Sequence, residues 1–226
     1  MACWRKVRRN QMSGNLKARI KGLLPRDLAR AISDYRNIDP DARGTYLRLL
    51  VRRICAVHQK TLAGIPEEIR SVLVVCHGNV IRSPMAAALL RNFLVERSCA
   101  SISVASAGTH AQPGNRADHR AMLLSREFGI LLDDHRAQPL SSSLIDESQL
   151  ILVMDRRNEA ELIARFPDAR SKVYPLGAAA AGDSTQSAEI LDPLYGTESD
   201  VRQCYEALKF YTHRLAYALA PSGGTK

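Results

Sequence analysis

No stretch of this chain approaches the roughly 20 consecutive apolar residues that a membrane-spanning helix needs. The basic N-terminus is followed by no apolar run with a small-residue cleavage site, so a secretory leader is not expected. Cysteines are few and scattered: Cys3, Cys55, Cys76, Cys99 and Cys204 are odd in number and form no closely spaced pair. This argues against a disulfide framework or a zinc site and points to a reducing, cytoplasmic compartment. Internal repeats and low-complexity tracts are missing too. Acidic residues are scarce in one region only. Residues 1–70 hold 6 Asp/Glu against 16 Lys/Arg, whereas the remaining 156 residues hold 17 against 16. All of the net charge of +9 therefore resides in the N-terminal segment, and a compositional boundary falls near Ile69-Arg70-Ser71.

What remains is a soluble-type composition, 46% hydrophobic over 226 residues, with ample length for a core. Three segments are expected: a basic helical extension over 1–70, a catalytic domain over 71–221, and a short tail over 222–226. In the extension, Leu16, Ile20, Leu23, Leu24, Leu28 and Ile32 recur at helical spacing around Pro25. A second helical pattern runs from Asp39-Pro40 through Leu47, Leu50, Val51, Ile54 and Val57. Beyond residue 70 the pattern becomes strand–helix alternation. Strands are expected at 72–76, 101–106, 149–154 and 172–175. Helices are expected at 84–97, 116–128, 141–147, 156–165 and 199–219. Short, continuously apolar strands of this kind predict an α/β fold, a four-stranded parallel sheet with helices on both faces.

The most informative segment is Val72-Leu73-Val74-Val75-Cys76-His77-Gly78-Asn79-Val80-Ile81-Arg82-Ser83-Pro84. A strand delivers a cysteine into a loop, and an arginine follows just before a Ser-Pro helix start. Each part has a chemical reason to be there. A thiol attacks phosphorus only as the thiolate, and a free cysteine with a pKa near ~8.5 is mostly protonated at neutral pH. Loop amides from His77 to Ser83 and the positive end of a helix stabilise both a thiolate and a bound phosphate. Arg82 presents a planar fork that matches two phosphate oxygens. Ser83 can donate to the sulfur. Pro84 suits a first helical turn, where its missing N–H would have no partner. Gly78 and Asn79 tolerate the left-handed backbone that a tight anion-binding loop demands. Cys76 and Arg82 are thus the candidate nucleophile and phosphate clamp. His77, Gly78, Asn79, Val80, Ile81 and Ser83 complete the cradle.

A leaving phenolate also needs an acid. Asp192, in the loop Ile190-Leu191-Asp192-Pro193-Leu194-Tyr195-Gly196, is the candidate, although Asp-Pro alone also reads as a turn opener. Leu194 and Tyr195 could wall a deep slot, which would favour aryl phosphates over the shorter serine phosphate. Asp155 is expected to cap a helix, ahead of the alternative of supporting the loop.

Cys76-His77-Gly78-Asn79-Val80-Ile81-Arg82-Ser83-Pro84 resembles the signature loop of the low-molecular-weight protein tyrosine phosphatases of bacterial type, and the resemblance extends over about residues 71–220. Ser106-Ala107-Gly108-Thr109, Asp134-His135-Arg136-Ala137, Leu150-Ile151-Leu152-Val153-Met154-Asp155 and Asp192-Pro193 follow in that family's order. The resemblance implies a flavodoxin-like phosphatase fold and hydrolysis of phosphotyrosine through a phosphocysteine, with no metal or other cofactor. It also implies a supporting role for His135 at Asn79, and phosphotyrosyl proteins as partners, among them a bacterial tyrosine kinase of polysaccharide export. Two departures stand out. Leu194 follows Asp-Pro where many members carry an aromatic residue. Ile81 occupies the place of a second cysteine, so Cys76, expected as an exposed thiolate, has no adjacent thiol to form a protective disulfide and should over-oxidise more readily.

Two other functions stay open on the sequence. An arsenate reductase would use the same loop but needs further cysteines in relay, and only Cys99 and Cys204 lie downstream. A non-catalytic phosphopeptide-binding module would need the cradle but no acid. For the basic extension, peripheral docking on an anionic membrane is the expected role, ahead of nucleic acid, an acidic partner or packing on the catalytic domain.

Overall fold

The computed structural model of the chain describes residues 26–54, 64–65, 68–177 and 189–220. The apolar positions expected before residue 26, the small-residue stretch 178–182 and the tail 222–226 lie outside the described residues. The chain divides into two compact units, Met1–Pro40 and Asp41–Lys226. In the first, helix α1 spans Arg26–Asn37. Leu28 and Ile32 are exposed along it, whereas Ala31 and Ile38 are buried.

A 3-10 turn at Pro40–Ala42 leads into helix α2, Arg43–Ile54, of the second unit. Then follow β1 (Ser71–Cys76), α3 (Arg82–Glu96), β2 (Ser103–Gly108), α4 (His119–Glu127), α5 (Ser142–Glu147), β3 (Leu150–Val153), α6 (Arg156–Arg165), a 3-10 helix (Pro167–Lys172), β4 (Val173–Pro175) and α7 (Glu198–Leu219). The four strands form one all-parallel sheet in the order β2-β1-β3-β4.

Strand alternation sorts the core into two layers. Val72, Val74 and Cys76 of β1 and Leu150 and Leu152 of β3 join Met85, Leu89 and Leu90 of α3 and Val201, Tyr205 and Leu208 of α7. Leu73, Val75, Ile151 and Val153 turn to the opposite face, against Ile145 of α5 and Leu162 and Ile163 of α6. Burial on both faces explains why these strands read as unbroken apolar runs.

The element boundaries have local causes. Helix α4 begins at residue 119 rather than the expected 116, because the Asp118 carboxylate accepts from the amides of Arg120 (2.9 Å) and Ala121 (3.3 Å) as an N-cap. Strand β2 begins two residues later than expected. Ser98 adopts a left-handed φ of 59° after α3, and a turn closed by Ile102 N–H on Cys99 O consumes the intervening residues. Helix α7 carries a full capping box between Thr197 and Asp200.

The connections run from β1 outward to β2 and then back across to β3, so neighbouring loops diverge at the carboxyl ends of β1 and β3. Such a switch point opens a crevice where ligands bind in open α/β sheets. Cys76, the last residue of β1, ends there.

Candidate active site

Residues 77–81 wrap around the Cys76 sulfur because their carbonyls are pulled outward. Cys76 O accepts from Thr109 N (2.9 Å), His77 O from His110 N (2.8 Å) and Val80 O from Asp118 N (3.0 Å). His135 Nε2 lies 2.7 Å from Asn79 O. Across a trans peptide the carbonyl and the following N–H point in opposite directions. The amides of His77, Gly78, Val80 and Ile81 therefore face the other way, toward the loop's interior. Asn79 N–H donates to Cys76 Sγ at 3.2 Å. Helix α3 starts at Arg82 with no side-chain cap on its first turn, so the positive end of the helix faces the same space.

Asn79 is the keystone of the loop. It is fully buried with a left-handed φ of 53°. Its Nδ2 donates to Ser83 Oγ (2.8 Å) and to Ser106 Oγ (2.9 Å), and its Oδ1 accepts from Gln138 N (3.0 Å). Both donors of the amide are thus used. Ser83 Oγ lies 3.0 Å from Cys76 Sγ and 3.2 Å from Ala107 O. Its single proton can go to either, and to the sulfur when that carries charge. Beneath the loop, Gly108 at the end of β2 leaves no room for a side chain. A Cβ there would stand 2.7 Å from His77 O and 2.9 Å from Asn79 N. Cys76 itself is buried under the loop rather than exposed.

Arg82 is only 2% exposed, and its guanidinium joins three segments. Nη1 donates to Asp155 Oδ2 at 2.6 Å and to Ile190 O at 3.1 Å, while Nη2 forms a short bond to Asp192 Oδ2. Burial works against the Arg82 charge, but Asp155, then Asp192 and Cys76, outweigh it and raise its pKa. Asp155 has two duties at once: Oδ1 caps α6 by accepting from Asn158 N at 2.8 Å, and Oδ2 holds Arg82. The capping duty was legible from the strand–Asp–helix pattern; the second was not, because it depends on β3 lying beside β1.

The Asp192 loop is pinned from the side by a residue no motif singles out. Arg120 donates to Leu194 O (2.8 Å) and Gly196 O (2.6 Å), and Asp118 holds its guanidinium. Because Asp118 N also bonds to Val80 O, the cysteine loop and the Asp192 loop share one support. Of the two residues expected to wall a slot, Leu194 packs partly against the core, whereas Tyr195 is 98% exposed beside it.

Burial lowers the pKa of His135, more than its bond to Asn79 O raises it, so the neutral ring with Nε2–H donating is favoured.

An open parallel sheet with a cysteine at the floor of an anion loop and a buried arginine beside it defines a thiol-dependent phosphoryl-transfer class of α/β enzyme. Comparison with known proteins makes the class specific. Residues 71–222 match the low molecular weight phosphotyrosine protein phosphatase family, and the chain belongs to that family. The probable low molecular weight protein-tyrosine-phosphatase EpsP of Ralstonia nicotianae is 44% identical over 109 residues, 48% of this chain and 72% of the relative. A protein-arginine-phosphatase of Geobacillus stearothermophilus is 34% identical over 148 residues, 66% of this chain and 95% of the relative. The crystal structure of the Erwinia amylovora tyrosine phosphatase AmsI superposes with a TM-score of 0.61 at 31% identity, covering 68% of this chain and 95% of that one.

Proposed function

We propose that this protein is a phosphotyrosine protein phosphatase that hydrolyses aryl phosphate monoesters through a phosphocysteine intermediate. The observation that carries the mechanism is the Arg82 guanidinium, anchored by Asp155 on one arm and bonded to Asp192 on the other. An incoming phosphate takes the Nη2 arm, with the Asp155 arm keeping the guanidinium in place. Asp192 is released by the same event to face the bridging oxygen.

The Cys76 thiolate then attacks phosphorus in line, and the phosphorus–oxygen bond to the aryl group breaks as the sulfur–phosphorus bond forms. Asp192, which takes up a proton from solvent on leaving Arg82, gives it to the departing phenolate. The loop amides of His77, Gly78, Asn79, Val80 and Ile81, with Arg82 and Ser83, hold the equatorial oxygens as charge redistributes. In the second step the Asp192 carboxylate takes a proton from water, the water oxygen attacks phosphorus, and the sulfur leaves as a thiolate that accepts the Ser83 proton in a hydrogen bond. Inorganic phosphate is released. His135 is a positioning residue that acts through Asn79.

Steady-state hydrolysis of an aryl phosphate by the wild type, Cys76→Ser and Asp192→Asn tests this. Activity should vanish in the first and fall about 100-fold or more in the second, the scale of a lost general acid. An active Cys76→Ser variant would refute the mechanism. Phosphoarginine is the second reading, favoured by the kinship with a protein-arginine-phosphatase. Paired phosphotyrosine and phosphoarginine peptides decide between the two by kcat/KM.

The phosphotyrosyl partner we infer is a bacterial tyrosine kinase of polysaccharide export. The kinship with EpsP and AmsI supports this reading. Among the described residues, no helix is long and apolar enough to cross a membrane. Peripheral docking through the basic residues of 1–70 on anionic lipid is the reading their charge supports. Co-sedimentation of the full chain with anionic but not neutral vesicles, weakened by salt, is the expected result. Equal binding to both vesicle types would refute it.

A further inference from the structure

Next to the cysteine loop, three side chains from separate elements converge on one point. His77 belongs to the loop after β1, His110 follows β2, and Glu161 lies on α6. Their potential ligand atoms all fall within 4.8 Å of one another. His77 Nδ1 is 3.7 Å and His110 Nδ1 3.4 Å from the same oxygen, Glu161 Oε2. The imidazole rings stack with centroids 4.5 Å apart and planes inclined by 27°. The Glu161 side chain is fully buried, while the two rings are 28% and 32% exposed. The point is therefore closed on the protein side and open to solvent on the other.

A buried carboxylate needs partners for its charge. Glu161 has Thr109 Oγ donating to Oε2 at 2.7 Å and Arg157 Nε donating to Oε1 at 2.9 Å. At 3.7 Å, His77 Nδ1 is beyond hydrogen-bond reach of Oε2, and this nitrogen is buried with no hydrogen-bond partner among the described residues. His110 Nδ1 lies 3.1 Å from Thr109 Oγ1, a bond that an ion would replace. A cation would then take both nitrogens and the oxygen together. Tetrahedral zinc, with bonds of about 2.0–2.1 Å, separates neighbouring ligand atoms by about 3.3 Å. The two nitrogen–oxygen separations, 3.4 and 3.7 Å, approach that edge.

We propose that His77, His110 and Glu161 form a binding site for a divalent cation of borderline softness, of the Zn2+ type, that ties the Cys76 loop to α6. Two imidazoles and a carboxylate leave a fourth position open to water, the donor set such ions take. Thr109 and Arg157 orient the carboxylate, as hydrogen-bond partners of metal ligands commonly do. The backbone is already braced for the load. His110 N–H donates to His77 O at 2.8 Å, so the two histidine segments are joined before any ion arrives. The hydrolytic mechanism above uses no atom of this ion. Its expected consequence is a stiffer phosphate loop.

Calorimetric titration of Zn2+ into the full-length Cys76→Ser variant tests the proposal without interference from the nucleophile. A saturable site should appear, and adding His110→Ala should weaken it at least tenfold, on the order of what a lost metal contact costs. An unchanged affinity in the double variant, or no saturable binding in Cys76→Ser, would overturn the assignment. A second measurement keeps the test sound if the double variant folds poorly. Zn2+ added to Cys76→Ser should shift the imidazole NMR resonances of His77 and His110 while leaving those of His135 in place. Shifts confined to other histidines would overturn it equally.

Discussion

Replacing Asn79 should separate two physical contributions that the loop combines. In Asn79→Ala, three side-chain hydrogen bonds disappear, to Ser83, Ser106 and the Gln138 amide. At about 1 kcal/mol each, their loss comes to about 3 kcal/mol. The left-handed backbone at φ 53° costs alanine up to about 1 kcal/mol more than asparagine, whose short polar side chain eases that conformation. Asn79→Ala should thus lose about 3–4 kcal/mol. Asn79→Gly suffers the same hydrogen-bond loss without the backbone strain, but it gives up about 0.5–1 kcal/mol of chain entropy. The two variants should therefore lie within about 1 kcal/mol of each other, far below the wild type. Urea unfolding with a common m-value measures both. A loss below about 1 kcal/mol in Asn79→Ala would refute the keystone role. A glycine variant clearly less stable than alanine would refute the strain argument. In both variants kcat should drop, since the amides that hold the phosphate lose their alignment.

Gly108→Ala should cost about 1–3 kcal/mol and lower kcat, because its methyl would meet the His77 carbonyl and the Asn79 amide rather than a movable side chain; thermal unfolding and steady-state kinetics check this. Asp155→Asn keeps an acceptor to cap α6 but removes the charge facing Arg82. We expect a loss of about 1–3 kcal/mol with a fall in kcat/KM, and unaltered kinetics would show that Asp192 alone suffices to hold the guanidinium. His135 titrates below its usual value in the folded protein, so the unfolded chain binds the proton first as pH falls. Its contribution to stability is complete above about pH 6.5 and declines as pH drops below that. Urea unfolding of the wild type across this range should show a pH slope that His135→Gln reduces.

How much was readable from the chain alone follows from which interactions are local. Strand β1, the loop and the start of α3 were legible because the apolar run, Gly78-Asn79 and Ser83-Pro84 act within a dozen residues. The parallel sheet followed from strands too apolar to leave either face in water. The bond between Arg82 and Asp155 was not legible, because it needs β3 to lie beside β1. Arg120 escaped notice because its partners are backbone carbonyls of a distant loop, which carry no residue signature. Asp118 offered a usable sign of the α4 start, an Asp directly ahead of a helical run. Tyr195 was expected from its chemistry to wall a slot, but the exposure of its ring is set by the fold and not by its neighbours in sequence.

Helix α2 lies ahead of the family-matched region yet belongs to the same compact unit. Tyr46 on this helix is fully buried; the guanidinium of Arg156 lies over its ring, 5.6 Å from the centroid, and pairs with Glu189 at 2.8 Å. Glu189 directly precedes Ile190, whose carbonyl holds Arg82. A chain trimmed to the homologous region would keep every residue of the signature loop and still unseat a brace two steps removed from the guanidinium. Residues ahead of Ser71 thus reach the phosphate clamp through a relay of two side chains, Arg156 and Glu189, although none of them belongs to the signature loop.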